Sequence, residues 1–304
     1  MSQQNTHIDF PPNINVRADV PLAPFTNIDI GGPADYLVKV SDQDIFIQLI
    51  RFCREQRIPF IVLGDGTNVF FPDDGFRGMV ISIEFDRICT LGKNAILAEA
   101  GASLSRLIQT CIENGLTGLE FASGIPGTVG GAVYGNAGAY GNDIGHILTR
   151  AKIVTPDGET RFVDKDYFAF RYRHSILKKQ PAFVLQAEFQ LDRGEPESIQ
   201  KVCDDIIATR TAKLPPPDIK TAGSWFKNIK DQQGRATPAA KLLEAVGSKQ
   251  LEIGDAAVHH KHANIFYNKA HATASDLLKL EDILRKRVIE KFNITLEREV
   301  MYIK

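Results

Sequence analysis

Cysteine and tryptophan are scarce in this chain: four cysteines and a single tryptophan among 304 residues. Cys53, Cys89, Cys111 and Cys203 show no C-x-x-C spacing, which leaves no metal-knuckle or dithiol motif to build on. Cys53, Cys111 and Cys203 each fall on the apolar side of a predicted helix, so buried, inert thiols in a reducing compartment are expected. An excess of one charge is missing too. Lys and Arg total 36 against 37 for Asp and Glu, a net charge of −1, so nothing points to a nucleic-acid or anionic membrane surface. No apolar run approaches the length of a spanning helix, and MSQQNTHIDFPP lacks the basic start and apolar run of a secretory signal. A cytoplasmic protein with no membrane insertion and no nucleic-acid partner is therefore expected. Internal repeats, low-complexity tracts and a G-x-S-x-G nucleophile elbow are also absent. What is present is ordinary for a soluble globular chain, 43% apolar and 24% charged, with length for two or three domains.

The first 20 residues are polar and contain proline, and read as a loosely attached lead-in. Gly31, Gly32 and Pro33 turn the chain into a strand over 35–40. Ser41 with Asp44 reads as a capping box opening a helix that buries Ile45, Phe46, Leu49, Ile50 and Cys53. PFIVLGDGTNVFF then reads as strand, Gly-rich loop, strand. From about 88 to 205 come a strand at 95–100 and a helix capped by Ser103. The Gly-rich segment follows, then a hairpin around PDG at 156–158, the strand AFVLQAEFQL, and a helix over 198–210 with Ile199, Val202, Cys203 and Ile206 inward. LPPPD at 214–218 is the clearest linker, since three prolines continue neither helix nor ladder. Beyond it, Thr237-Pro238 starts a short helix stopped by Gly247, and HANIFYN reads as a strand. Thr273-x-x-Asp276 caps the longest amphipathic helix, with Leu277, Leu280, Leu284, Val288 and Phe292 inward. ITLEREVMYIK ends the chain as a strand.

Four stretches hold candidate chemistry. LGDGTN at 63–68 suits a nest of backbone N–H groups for a phosphate, although a plain strand-to-strand turn has the same look. It is not the dinucleotide fingerprint, because the G-x-x-G continuation and following helix are missing. ASGIPGTVGGAVYGNAGAYGNDIG at 122–145 has eight glycines in 24 residues and no charge before Asp143. Bare backbone on that scale lets a large, mostly neutral ligand approach closely and take hydrogen bonds from amides. The alternative is a packing segment between sheet and helix. TAGSWFKN at 221–228 sets a serine after glycine, then the tryptophan and a lysine, just past the linker. The histidines of HHKH at 259–262 have no partnering Cys or carboxylate at ligand spacing, so a solvated or locally hydrogen-bonded cluster is expected and no metal site.

IGGPADYLV, LGDGTNVFF, GLEFASGIPGTVGGAVYGNAGAYG, YRHSIL, AGSWFKN, KHANIFYN and LEREV occur in one order from about Pro21 to the C-terminus. Together they resemble the UDP-N-acetylenolpyruvoylglucosamine reductases, in the shorter form of that family. The resemblance implies an α+β chain: a two-subdomain FAD-binding fold of the vanillyl-alcohol-oxidase type plus a C-terminal α+β substrate domain. The implied divisions are 1–85, joined by the C-terminal strand 293–304, then 86–210, then 211–292 for the UDP-sugar. Non-covalent FAD is the implied cofactor, with Gly64, Asp65, Gly66, Thr67 and Asn68 at its pyrophosphate. Ser123, Gly124, Ile125, Gly127, Thr128, Gly130, Gly131, Ala132, Gly135, Asn136 and Gly138 would lie along the flavin and the rest of the dinucleotide. A bulky side chain at Gly130 or Gly135 would then cost flavin binding before folding.

The implied reaction has two halves: reduction of FAD by NADPH, then hydride delivery to C3 of the enolpyruvyl group and protonation of C2. The product is UDP-N-acetylmuramate, a peptidoglycan precursor. Ser224 matches the proton donor, and serine in that role needs pre-positioning and a path for replacing its proton. Arg173 and Glu299 match the residues flanking the substrate carboxylate. A Glu kept from water there should have a raised pKa and stay protonated. Glu297, two residues away on the same strand face, is the alternative that register disfavours. Arg210, Lys213 and Lys227 would meet the diphosphate, Asn228 the uridine or sugar, and Tyr140 and Tyr172 would act as lids or stacking partners. Partners would be the UDP-sugar and NADPH, with the protein a monomer or weak oligomer. An oxygen-using flavin oxidase of the same fold and a non-catalytic flavin or nucleotide-sugar binder are the competing functions. Asp65 and Thr67 replace the Gly and Ser more usual in the family, and Ile229 replaces the proline that usually follows SWFKN.

Overall fold

The computed structural model describes residues 8–230 and 236–304. Its first sheet has the order Val16–Pro21, Pro33–Val40, Phe76–Ile83, Phe60–Leu63. The first pair is antiparallel and the other two are parallel. The helix Gln43–Glu55 makes the crossover that parallel strands require. It buries Phe46, Leu49, Ile50 and Cys53, three to four residues apart, as the periodicity predicts. Its cap is Asp42, not Ser41: the Asp42 carboxylate accepts from the Asp44 and Ile45 amides at 2.8 and 3.0 Å. The supposed lead-in is also more than that. Val16–Pro21 forms the sheet's edge strand, where the proline's missing N–H faces no partner strand, and Ile14 packs into the core.

The second sheet is antiparallel throughout, in the order Thr160–Asp164, Leu148–Val154, Phe183–Gln190, Ala95–Glu99, Ile88–Leu91. The helix Leu104–Glu113, capped by Ser103, and the helix Pro196–Lys213 pack with it. The second helix is longer at both ends than its sequence pattern suggests. Val202, expected inward, is 47% exposed, because only Ile199 and Cys203 on that stripe are buried. Burial pushes the Cys53 and Cys111 thiols up to about 12 and raises Cys203, so these three are inert as expected, while Cys89 is exposed.

A third sheet, Thr221–Ser224, Ile265–Asn268, Ala256–Val258, Glu252–Ile253, lies against the long helix Ala274–Phe292. The Thr273/Asp276 capping box is formed, and Asp73 from the first block adds its carboxylate to the Ala274 and Ser275 amides at 2.7 and 3.1 Å. The core of this third region also takes in Ile28, Ile30 and Phe70 from early in the chain and Leu296 and Val300 from its end. Met301–Tyr302 pairs in parallel with Val69–Phe70. The HHKH segment is a turn in which His259 Nδ1 accepts from the Lys261 amide and His262 Nδ1 from the Asn264 amide. No cluster of potential metal ligands exists among the described residues. Nor is any described helix long and apolar enough to cross a membrane.

Candidate active site

The Gly-rich stretch contains a helix that its composition conceals. Thr128 caps Val129–Gly135 through its hydroxyl, which accepts from the Gly131 amide, and Asn136 ends it in the left-handed conformation at φ 47°. Two glycines of this helix face different surroundings. A Cβ on Gly130 would lie 3.0 Å from Ala100 Cβ and 3.1 Å from Ala100 O, so Gly130 is there for packing, contrary to the expectation of an open floor. A Cβ on Gly135 would meet nothing within 4 Å. Gly64 is likewise closed, since its Cβ would fall 2.5 Å from Thr128 Oγ1. The LGDGTN loop therefore sits directly against the helix start, where a Cβ on Gly127 would also fall 3.1 Å from Thr67 Oγ1. Asp65 and Asn68 are exposed, and Asn68 Nδ2 donates to Glu299 O at 3.5 Å.

The end of the stretch fixes the turn that carries Arg173. Arg171 and His174 exchange two backbone hydrogen bonds of 3.0 Å, and between them Arg173 is left-handed at φ 53°, a costly conformation for a residue with a Cβ. Asn136, 1% exposed, holds the turn from beneath. Its Nδ2 donates to Arg171 O at 3.0 Å and its Oδ1 accepts from the Gly145 amide at 2.9 Å. Both polar atoms of that side chain are thus used inside the protein. Ser175 Oγ donates to Tyr134 O at 2.6 Å and Lys178 Nζ to Arg173 O at 2.8 Å. So fixed, the Arg173 guanidinium donates to Gly138 O at 2.7 Å and, through Nε, to Glu299 Oε1 at 2.6 Å.

Glu299 comes from the other end of the chain. Its amide donates to Trp225 O at 2.8 Å, and the Lys227 amide to Glu297 O at 2.9 Å, so 297–299 runs beside the SWFKN segment. The two candidate carboxylates are now distinct. Glu297 is exposed and pairs with Lys227 Nζ, whereas the Glu299 side chain is 15% exposed and pairs with Arg173. Burial raises the Glu299 pKa above the ordinary carboxylate value, with Arg173, Lys178 and Lys227 pulling the other way. Lys178 is pushed down by burial and by Lys227 nearby. Three cations around two carboxylates leave this cleft with positive charge to spare. Ser224, half-buried, ends the strand Thr221–Ser224 beside Gly223, whose Cβ position is open. No hydrogen bond to its hydroxyl occurs among the described residues.

Of the remaining predicted residues, Tyr172 joins the site, its hydroxyl accepting from the Asn228 amide at 3.3 Å and its ring 5.4 Å from the Arg173 guanidinium. Asn228 Oδ1 meanwhile accepts from the Ala239 amide at 3.1 Å, at the start of the next helix. Arg210 lies over the Gly-rich segment: a Cβ on Gly124 would sit 3.1 Å from its Nε, and Tyr140 is nearby. Lys213, at the exposed end of its helix, is not brought to the others. Ile229–Lys230 pairs with Ala236–Thr237, so Ile229 lies in a hairpin arm where a proline would remove a donor. Sequence reasoning missed Lys178, although YRHSILK places it five residues past Arg173, and missed Asn136 as a support.

The residues fit a flavin nucleotide. Backbone borders open space at Gly135 and Gly141, and the LGDGTN loop lies against the start of the same helix. Buried Ser123 Oγ has no hydrogen-bond acceptor, only the Cys203 thiol beside it. The fold and site define a flavoprotein. Residues 34–164 match the family model described as "FAD binding domain", and residues 215–303 match "UDP-N-acetylenolpyruvoylglucosamine reductase, C-terminal domain". Among relatives, a UDP-N-acetylenolpyruvoylglucosamine reductase of Clostridium novyi is 37% identical over 286 residues, covering 94% of this chain and 91% of that protein. A second, of Bacillus cereus, is 38% identical over 292 residues, covering 96% and 94%. The crystal structure of the reductase from Thermus caldophilus superposes with a TM-score of 0.78 at 29% identity, covering 96% of this chain and 99% of that one. The chain belongs to the UDP-N-acetylenolpyruvoylglucosamine reductase family.

Proposed function

We propose that Ser224, Arg173 and Glu299 carry the second half of this chain's reaction, protonation and charge stabilisation on the enolpyruvyl group. As a family member the chain is a flavin-dependent reductase of UDP-N-acetylenolpyruvoylglucosamine in peptidoglycan synthesis, with FAD as cofactor. Bound FAD, once reduced by NADPH, would supply the hydride. The observation that supports the residue roles is the 2.6 Å contact between Arg173 and Glu299, which brings residues 126 positions apart to the segment holding Ser224. Hydride addition at C3 pushes charge toward the substrate carboxylate, where a fixed guanidinium and a carboxyl with a raised pKa stabilise it. Ser224 Oγ, not engaged elsewhere among the described residues, gives its proton to C2. Gly64–Asn68, Gly124–Gly138 with Ser123, and Arg210 hold the cofactor side, with Gly64, Gly130 and Asn136 acting there as packing and supporting residues. Tyr172, Lys178, Lys227 and Asn228 meet the anionic UDP-sugar. The divisions 1–85 with 293–304, 86–210 and 211–292 follow these roles. NADPH is the electron donor, and the protein works in the cytoplasm as a monomer or weak oligomer.

The test uses the two halves separately. Anaerobic NADPH should bleach the yellow protein, and the enolpyruvyl sugar should restore the colour. Ser224→Ala should bleach normally and recolour at least about a hundredfold more slowly, the usual scale for loss of a positioned acid. Normal recolouring removes Ser224 from its role.

A further inference from the structure

The long helix Ala274–Phe292 turns leucines at 277, 280 and 284 into the third core, and one carboxylate goes in with them. Glu281 is 3% exposed. Its Oε2 accepts from Trp225 Nε1 at 3.0 Å and from Arg298 Nε at 2.6 Å, while Oε1 pairs with Arg285 Nη2 at 2.7 Å. Arg285, one turn further along the helix, lies over the Phe226 ring at 5.7 Å. A buried ion pair seldom out-stabilises apolar packing of the same volume, so stability alone is a weak reason for this cluster.

The identity of the partners is more informative. Trp225 follows Ser224 in the chain, and Arg298 precedes Glu299. The segments are also tied through their backbones: Phe226 and Arg298 form a bridge, Glu299 N donates to Trp225 O, and the Asn264 side chain clasps the Phe226 amide and carbonyl at 2.9 and 2.8 Å. Successive side chains of an extended segment point to opposite faces, so drawing Arg298 inward sends Glu297 and Glu299 outward to the cleft. The carboxylate hydrogen-bonds both the residue beside Ser224 and the residue beside Glu299.

We infer that Glu281 is a positioning residue for the proton-transfer half of the reaction, setting the separation of Ser224 from Glu299 without touching the substrate. This rests on the roles given above to Ser224 and Glu299. A misplacement of about 1 Å at a reacting group costs up to about a hundredfold in rate, so the effect is measurable. The holoenzyme variants Glu281→Gln and Trp225→Phe are compared with Ser224→Ala in anaerobic single-turnover experiments. Trp225→Phe removes the indole N–H, together with part of the ring volume, while keeping an aromatic ring against Phe266, 4.5 Å away, and so informs even if Glu281→Gln folds poorly.

Expected is flavin reduction by NADPH within about twofold of wild type in both variants, with reoxidation by the enolpyruvyl sugar slowed about tenfold or more in Glu281→Gln and severalfold in Trp225→Phe. The solvent deuterium isotope effect on reoxidation should rise, and Glu281→Asp, which keeps the charge, should recover part of the rate. Equal losses in both halves, or wild-type reoxidation in Trp225→Phe and Glu281→Gln while Ser224→Ala is slow, overturn the inference alone. Wild-type reoxidation in Ser224→Ala overturns the underlying roles.

Discussion

Gly130 and Gly135 lie at the two ends of one seven-residue helix, and alanine should act on them in opposite directions. At Gly130 the new methyl would arrive 3.0 Å from Ala100 Cβ and 3.1 Å from Ala100 O, the same carbonyl that accepts the Gly130 amide at 2.8 Å. A strand end must then shift by tenths of an ångström, and overpacking of this kind costs about 1–3 kcal/mol. At Gly135 the methyl meets open space, and replacing a helical glycine gains about 0.5–1 kcal/mol from reduced freedom of the unfolded chain. For a chain of this size 1 kcal/mol moves the midpoint by about 2–4 °C. Scanning fluorimetry of the deflavinated protein should therefore show Gly130→Ala melting several degrees lower and Gly135→Ala one to a few degrees higher. Gly135→Leu should leave that melting temperature near wild type but weaken FAD binding, followed by flavin fluorescence, by about tenfold or more, or about 1.4 kcal/mol. Unchanged FAD affinity in Gly135→Leu would refute the assignment of that space to the cofactor. An unchanged midpoint in Gly130→Ala would refute the tight contact.

Two further outcomes follow from the same geometry. Because burial raises the Glu299 pKa, ionising it opposes folding: its favourable contribution is complete below the ordinary carboxylate value and is lost as pH rises through the folded-state value. Glu299→Gln should lack that decline in a melting-temperature profile upward from about pH 4, and the reoxidation rate should lose the matching limb; a limb that survives in the variant assigns it to another group. Asn136→Ala leaves a buried carbonyl and amide unpaired and forces alanine into a left-handed turn, so unfolding titrations should show a loss of about 2–4 kcal/mol, with Asn136→Gly recovering only the backbone share.

Local signals in the sequence carried the elements well where side chains are large. The stripe Leu277, Leu280, Leu284, Val288 marked the long helix and its capping box marked the start. Glu281 lies on that same stripe and was passed over, because an inward carboxylate becomes visible only when its partners, Trp225 and Arg298, are known in space. The helix Val129–Gly135 was hidden for the opposite reason. Glycine contributes neither propensity nor a hydrophobic face, and only the caps at Thr128 and Asn136 betray the element. Cap placement erred by one residue at Ser41 because Ser41 and Asp42 are equally good acceptors on sequence grounds. VRADVP escaped notice since an edge strand with Pro, Asp and Arg has no alternation to detect. Arg173, Ser224 and Glu299 were legible only through motifs in register. Nothing local to YRHSIL or LEREV says that these segments meet.

The third region is not free to swing as a unit, and that restricts how the cleft can close over a substrate. Its core holds Ile28, Ile30 and Phe70 from before the first sheet's last strand, and Phe70 stacks on Tyr302 at 4.8 Å and lies 5.4 Å from Trp225. Asn27 Nδ2 donates to Thr221 O, Asn268 Nδ2 to Ile28 O and Asp29 O, and Asp73 caps the long helix. A hinge here would expose these apolar residues at about 25 cal/mol per Å² and strand the buried Asn268 amide, a cost far above that of moving a loop. Of the two residues expected to act as lids, Tyr172 is 36% exposed on a turn that Asn136 and Ser175 hold, and Tyr140 is 55% exposed. The same rigidity gives the Trp225–Glu281–Arg298 cluster its value, because two segments kept at a set separation must be tied to something that does not itself move.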